Sequence, residues 1–88
     1  MDNKQFNSYE DPVQVSLREN VAEVMSHYFA NLKGEEPLQV YDFFMDEIEE
    51  PLLTIVMKFT RQNQSEAARI LGLSRGTLRA KLKKFGML

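Results

Sequence analysis

Two short helices divided by a glycine, packed into the stretch from Gln62 to Leu88, restrict this chain more than any other feature of its sequence. Asn63 precedes Glu66 by three positions, a spacing in which an amide caps the first free backbone donors while the carboxylate reaches back to the cap. The helix that starts there runs through Ala67, Ala68 and Leu71 to Gly72, the residue best suited to the left-handed conformation in which helices often end. Ser74 then caps a second helix, whose apolar residues Leu78, Leu82 and Phe85 recur at four and three and so share one face. A small residue for the crossing (Ala68), a permissive one in the turn (Gly72) and a large apolar one to pin the second helix (Leu78) make up helix-turn-helix spacing.

A helical wheel at about 100° per residue shows which face of the second helix is free. Gly76 and Ala80 lie opposite the Leu78, Leu82, Phe85 stripe and are small enough for close approach to a partner. Arg75, Arg79 and Lys83 flank them on one side, and Thr77, Lys81 and Lys84 on the other. A slim ridge between two donor-rich edges suits a helix entering the major groove, with an arginine fork on base edges and phosphates held along both walls. Taken alone, Lys81, Lys83 and Lys84 also fit a solvated helix end that complements the helix dipole. Cap, small-residue crossing, glycine turn and one-sided basic face together point to double-stranded DNA.

The charge distribution agrees. The formal net charge of -2 conceals a split: up to Val56 the chain has 3 basic and 12 acidic residues, and beyond it 8 basic residues and only Glu66, giving -9 and +7. Such a molecule would be steered to a polyanion basic end first. With 88 residues and no cysteine, the chain is at most one small domain with no disulfide framework or thiolate metal site, and dimerisation would help to stabilise it. No apolar run has the form of a signal peptide or membrane span, so a cytoplasmic location without a membrane partner is expected.

Residues 1–15 are polar, with Phe6, Tyr9, Val13 and Val15 as the sizeable apolar groups and Pro12 interrupting them, and read as a flexible arm. Ser16 and Glu19 form another capping box, behind which Leu17, Val21, Val24, Met25, Tyr28 and Leu32 predict an amphipathic helix ending before Gly34. Pro37 is placed to open the next element. From about Leu38 to Thr60 the sequence predicts the longest helix, apolar around much of its circumference and expected to kink at Pro51. Its acidic residues Asp42, Asp46, Glu47, Glu49 and Glu50 read as a solvated face, and His27, the chain's one histidine, as structural. No nucleophile–base pair, phosphate-cradling glycine loop or metal constellation can be assembled, so neither an enzyme nor a cofactor is expected.

The expected fold is therefore all-α, with four helices in the chain. Residues 16–60 form dimerisation helices that complete a four-helix bundle with a second copy, and residues 61–88 form the C-terminal helix-turn-helix. A second class of function, a helical dimer that engages a recombinase, a polymerase or another protein with DNA incidental, fits the same helices.

Pro51-Leu52-Leu53, Thr60-Arg61-Gln62-Asn63-Gln64, Ala67-Ala68, Arg75-Gly76-Thr77-Leu78-Arg79 and Lys81-Leu82-Lys83-Lys84-Phe85-Gly86-Met87 resemble the Fis (factor for inversion stimulation) family of bacterial nucleoid-associated proteins. The resemblance is dense from about Glu49 onward, looser over 17–48, and fades before Leu17. The same helix-turn-helix closes the large enhancer-binding activators, and the lack of an ATPase module ahead of it in this sequence favours Fis. The resemblance implies an intertwined homodimer whose recognition helices lie closer together than one turn of B-DNA, so that DNA bends to fill both sites. It implies a transcription regulator and recombination accessory factor of the nucleoid, with a DNA invertase or RNA polymerase as further partners, the N-terminal arm being the part that touches invertases. Arg75 becomes the base-edge reader by this resemblance, with Asn63, Ser65, Thr77, Arg79, Lys81, Lys83 and Lys84 at phosphate-contacting positions. Three positions depart from the family pattern: Glu66 stands for a basic residue, Ser74 for a common asparagine and Ala80 for a lysine. Ser74, at a DNA-binding position by this resemblance, can still cap the helix but loses an amide's reach, and Glu66 implies weaker or more salt-sensitive binding.

Overall fold

The computed structural model describes residues 12–88, with side chains from Ser16 onward, and among them every regular element is an α-helix: α1 Pro12–Ala30, α2 Val40–Phe59, α3 Gln64–Leu71 and α4 Arg75–Lys84. The all-α expectation is met. Most of the expected N-terminal arm, residues 1–11, lies outside the described residues.

α1 belongs to a unit of its own, residues 1–38. It is already helical at Pro12, the first described residue, four positions ahead of the Ser16 start that the capping box predicts. Ser16 therefore lies inside the helix rather than at its cap. At the other end the Asn31 amide donates to the carbonyl of His27 at 2.8 Å, and Lys33 and Gly34 turn the chain through positive φ. Of its apolar residues, Leu17, Val24 and Phe29 are exposed.

The second unit, residues 39–88, contains α2, α3 and α4. Pro37 does not open α2. Gln39 adopts a left-handed conformation (φ 53°) and the helix begins only at Val40. It then runs unbroken through Pro51. Glu47 and Pro51 are both exposed, so the carbonyl that proline leaves without a donor is within reach of water.

α2 divides its surface between two tasks. Leu53 and Met57, one turn apart, are buried with Ala67, Ala68, Leu78 and Leu82, and Val56, Leu71, Phe85 and Met87 pack around them. This is the core of the unit, formed where the C-terminal half of α2 meets α3 and α4. Ala68 is small enough to let the helices meet there, and Leu78, with no exposed surface, is the pin that the spacing predicts. Another stripe, Tyr41, Ile48, Leu52, Ile55 and Phe59, recurs at seven, four, three and four and is exposed throughout, Phe59 by 76 %.

The three helices of this unit end in the same way. In each, an N–H bonds back five residues and the preceding N–H bonds back three: Gln62 to Met57 and Arg61 to Lys58, Leu73 to Ala68 and Gly72 to Arg69, Met87 to Leu82 and Gly86 to Lys83. The pivot must have positive φ, and it is Gly72 at 74°, Gly86 at 70° and, with no glycine available, Arg61 at 54°. A Cβ at Gly72 would meet nothing within 4 Å, so only backbone conformation opposes a side chain. Gly72→Ala is accordingly expected to lower stability by about 1 kcal/mol in urea unfolding followed by circular dichroism, with DNA affinity preserved where the protein is folded.

Candidate nucleic-acid interface

The start of α4 is fixed locally. Ser74 is the N-cap, in extended conformation, and its hydroxyl accepts the N–H of Thr77 at 3.1 Å while donating to the Thr77 hydroxyl at 2.9 Å. This holds the first turn, with Arg75 and Gly76, at the electropositive end of the helix. Ser74→Ala should therefore cost about 1 kcal/mol of unfolding free energy, measurable by chemical denaturation. Leu78 and Leu82 fix the rotation of α4 by entering the core, which leaves Gly76 and Ala80 exposed on the opposite side. A Cβ at Gly76 would meet nothing within 4 Å. The slim ridge is thus open to a partner.

Its two edges differ in a way that the helical wheel does not show. On one, Arg75, Arg79 and Lys83 are all exposed. Arg79 donates through Nη1 to Oε1 of Gln64 at 2.8 Å, which brings the first turn of α3, with Asn63 and Ser65 on either side of Gln64, beside the middle of α4. Arg75 and Lys83 make no ion pair with the described residues. On the other edge Thr77 is engaged with Ser74, and both lysines are held by α2: Lys81 Nζ lies 2.8 Å from Oε2 of Glu49, and Lys84 Nζ lies 2.7 Å from Oδ1 of Asp46. Lys84 also sits over the Phe85 ring, 5.6 Å from its centroid. The hydrogen bond that Lys84 donates to Asp46 raises the Lys84 pKa above the ordinary lysine value, so the lysine stays charged through neutral pH and loses its proton only as strongly alkaline pH is reached.

The acidic residues of α2 are consequently not all a solvated face. Asp42, Glu47 and Glu50 are exposed, but Asp46 and Glu49 point to α4 and pair with it. The sequence reading misses this because the partners are 38 and 32 positions apart.

At the start of α3 the Asn63 side chain accepts the N–H of Glu66 at 3.0 Å, so the cap is present. The reciprocal half of the box is not. The Glu66 carboxylate turns instead to Arg69, whose Nε donates to Oε1 at 3.1 Å and whose Nη2 donates to Oε2. A guanidinium fork three residues on offers two charge-assisted bonds where the backbone offers one. The Arg69 hydrogen bonds lower the Glu66 pKa, so this pair is present above the ordinary glutamate range and is lost as the pH falls below it. The one acid near the start of α3 is thereby neutralised on the protein, at the expense of a cation that would otherwise face solvent.

Of the nine residues singled out from sequence, Ser74, Arg75, Thr77, Arg79, Lys81, Lys83 and Lys84 sit on or at the cap of α4, and Asn63 and Ser65 at the start of α3. Gln64, Asp46 and Glu49 are additions from the structure. Among the described residues no three histidine, aspartate or glutamate side chains converge to hold a metal ion, and no helix is long and apolar enough to cross a membrane.

Comparison with known proteins places this arrangement. The family described as bacterial regulatory protein, Fis family, matches residues 44–85, from the second turn of α2 to the residue after α4. The chain is 47 % identical over 82 residues to the DNA-binding protein Fis of Mannheimia haemolytica, covering 93 % of this chain and 84 % of the relative. It is 46 % identical over 81 residues to that of Proteus mirabilis, covering 92 % and 83 %, and 50 % identical over 74 residues to that of Psychromonas ingrahamii, covering 84 % and 75 %. Similarity at this level over nearly the whole length takes in α1 as well as the helix-turn-helix, and the chain belongs to the Fis family of bacterial regulatory proteins.

Proposed function

We propose that the protein is a homodimeric DNA-binding and DNA-bending regulator of the bacterial nucleoid, in which residues 16–60 pair two chains and residues 61–88 read the duplex. The observation that carries this reading is the orientation of α4: Leu78 and Leu82 are buried, while the Gly76, Ala80 ridge stands open beside Arg75, Arg79 and Lys83. A helix so presented fits the major groove, with Arg75 near its N-terminus directed at a base edge and the other cations at phosphates. The names of its relatives agree with that ligand.

Pairing is supported by the exposed stripe of α2. Tyr41, Ile48, Leu52, Ile55 and Phe59 form a continuous apolar face along a 20-residue helix, more than a monomer ordinarily leaves to water. A two-fold axis presents two copies of α4, and a separation shorter than the roughly 34 Å repeat of B-DNA makes the duplex curve. Curvature would put much of the sequence preference in deformability.

A gel-shift series with one binding segment placed at different positions along fragments of equal length, run at two salt concentrations, tests the proposal. Mobility should depend on segment position, and log affinity should fall with log salt by several units of slope. Complexes whose mobility ignores position would contradict bending, and salt-insensitive binding would contradict the phosphate contacts.

A further inference from the structure

The ion pairs between α2 and α4 do more than join two helices. Asp46 and Glu49 are three positions apart on α2, and Lys84 and Lys81 are three apart on α4, so the bridges lie side by side. The carboxylates are carried on a helix whose next turns, Leu53 and Met57, are locked in the core, and they cannot follow a ligand outward. The lysines can. Each has a flexible four-carbon stem ending in a compact charge that exchanges one anion for another. Lys84 is half-exposed and Lys81 about one third exposed.

We infer that Asp46 and Glu49 are internal stand-ins for DNA phosphates: they occupy Lys84 and Lys81 in the free protein and surrender them to the duplex, thereby setting how tightly the protein holds DNA. This rests on the DNA-binding reading above. Free protein then shows the duplex an asymmetric α4, with the Arg75, Arg79, Lys83 edge ready and the Lys81, Lys84 edge already neutralised. A duplex collects the second edge only where its phosphates outcompete two fixed carboxylates in each chain.

The test compares equal changes of charge on one helix. Binding of a random-sequence duplex of about 30 base pairs, long enough for half-sites one turn apart, is measured by fluorescence anisotropy for wild type, Asp46→Asn/Glu49→Gln, and Glu47→Gln/Glu50→Gln. The control pair removes the same charge from exposed residues of α2 that make no ion pair with the described residues. Removing the paired acids is expected to tighten binding by about 4-fold to a few hundred-fold, in line with two ion pairs released in each of two chains, and by several-fold more than the control. That excess should vanish when Lys81→Gln/Lys84→Gln is added, the signature of direct coupling.

Equal gains from the two acid pairs, or an excess that survives loss of the lysines, would overturn the inference. If circular dichroism shows that the double acid variant melts early, Asp46→Asn alone, which leaves the less exposed Glu49–Lys81 pair intact, decides by the same comparison with Glu47→Gln. Arg75→Ala separates the two levels of the argument. Wild type that fails to bind at low salt, or whose binding to a preferred duplex Arg75→Ala leaves unaffected, contradicts the DNA-binding reading itself. Wild type that binds and depends on Arg75, with equal gains from both acid pairs, contradicts this inference alone.

Discussion

Replacing Arg75 with alanine is expected to weaken binding to a preferred duplex by about 10- to 100-fold for each half-site, the loss of one bidentate base contact, and to do so without unfolding the protein. Arg75 is exposed, makes no ion pair with the described residues, and lies in a first turn whose capping bonds are supplied by Ser74 and Thr77. Alanine keeps that turn helical. The loss should therefore fall on preferred more than on random sequences, and the thermal transition should stay in place. Lys83→Ala is the contrasting case: it should weaken binding evenly across sequences and reduce the salt slope by about one unit for each phosphate contact removed. Titrating both variants against a preferred and a random duplex at several salt concentrations separates reading from holding. An Arg75→Ala protein that keeps its discrimination would remove Arg75 from the base-reading role.

Leu78→Ala acts by the opposite route. Leu78 has no exposed surface and lies among Leu53, Met57, Ala67, Ala68 and Leu82, a core too small to redistribute the missing volume. A loss of about 3 kcal/mol is expected, as for other buried leucines whose site collapses only partly. Against a total stability of about 5–15 kcal/mol, that is a large fraction. Since Leu78 also sets the rotation of α4, the ridge and both basic edges should lose their orientation as the core loosens, and affinity should fall in parallel with helicity. Ile70→Ala provides the comparison: that side chain is 43 % exposed, and its truncation should cost below about 1 kcal/mol. Urea unfolding monitored by circular dichroism distinguishes the two, and equal effects would mean that the core is not where the burial pattern puts it.

The parts of this fold that can be read in the sequence are those whose causes are near neighbours in the chain. Asn63 caps Glu66, Ser74 caps Thr77 and Gly72 closes α3, all within a turn of the groups they satisfy, so spacing alone reveals both helices of the helix-turn-helix. The four-and-three recurrence of Leu78, Leu82 and Phe85 likewise orients α4. Where two local rules compete, the sequence does not decide between them. Ser16 is a good helix start, yet the helix already includes Pro12 ahead of it; Glu66 has two acceptable partners, and Arg69 takes it. Arg61 as the pivot ending α2 gives no signal, because that place usually falls to glycine. Hardest to see is the pairing of Lys81 and Lys84 with Glu49 and Asp46, since side chains so far apart in sequence meet only after the core has brought α2 against α4. That pairing divides the candidate interface into an open edge and an occupied one, a distinction absent from composition, charge count and helical wheel.

The occupied edge also bears on the charge separation along the chain. Within the second unit the basic end is partly balanced by the acids of α2, so the field that a duplex meets is concentrated on Arg75, Arg79 and Lys83. A focused field of this kind favours approach in one orientation.

If two chains pair as proposed, together they place two copies of α4 on one duplex. Sedimentation equilibrium of the protein with a duplex spanning two half-sites measures this directly. The complex is expected to be heavier than the duplex by two chains of 10.2 kDa each, with free protein sedimenting as the dimer; a complex containing one chain, or a duplex whose mass is unchanged by the protein, would rule out paired reading heads.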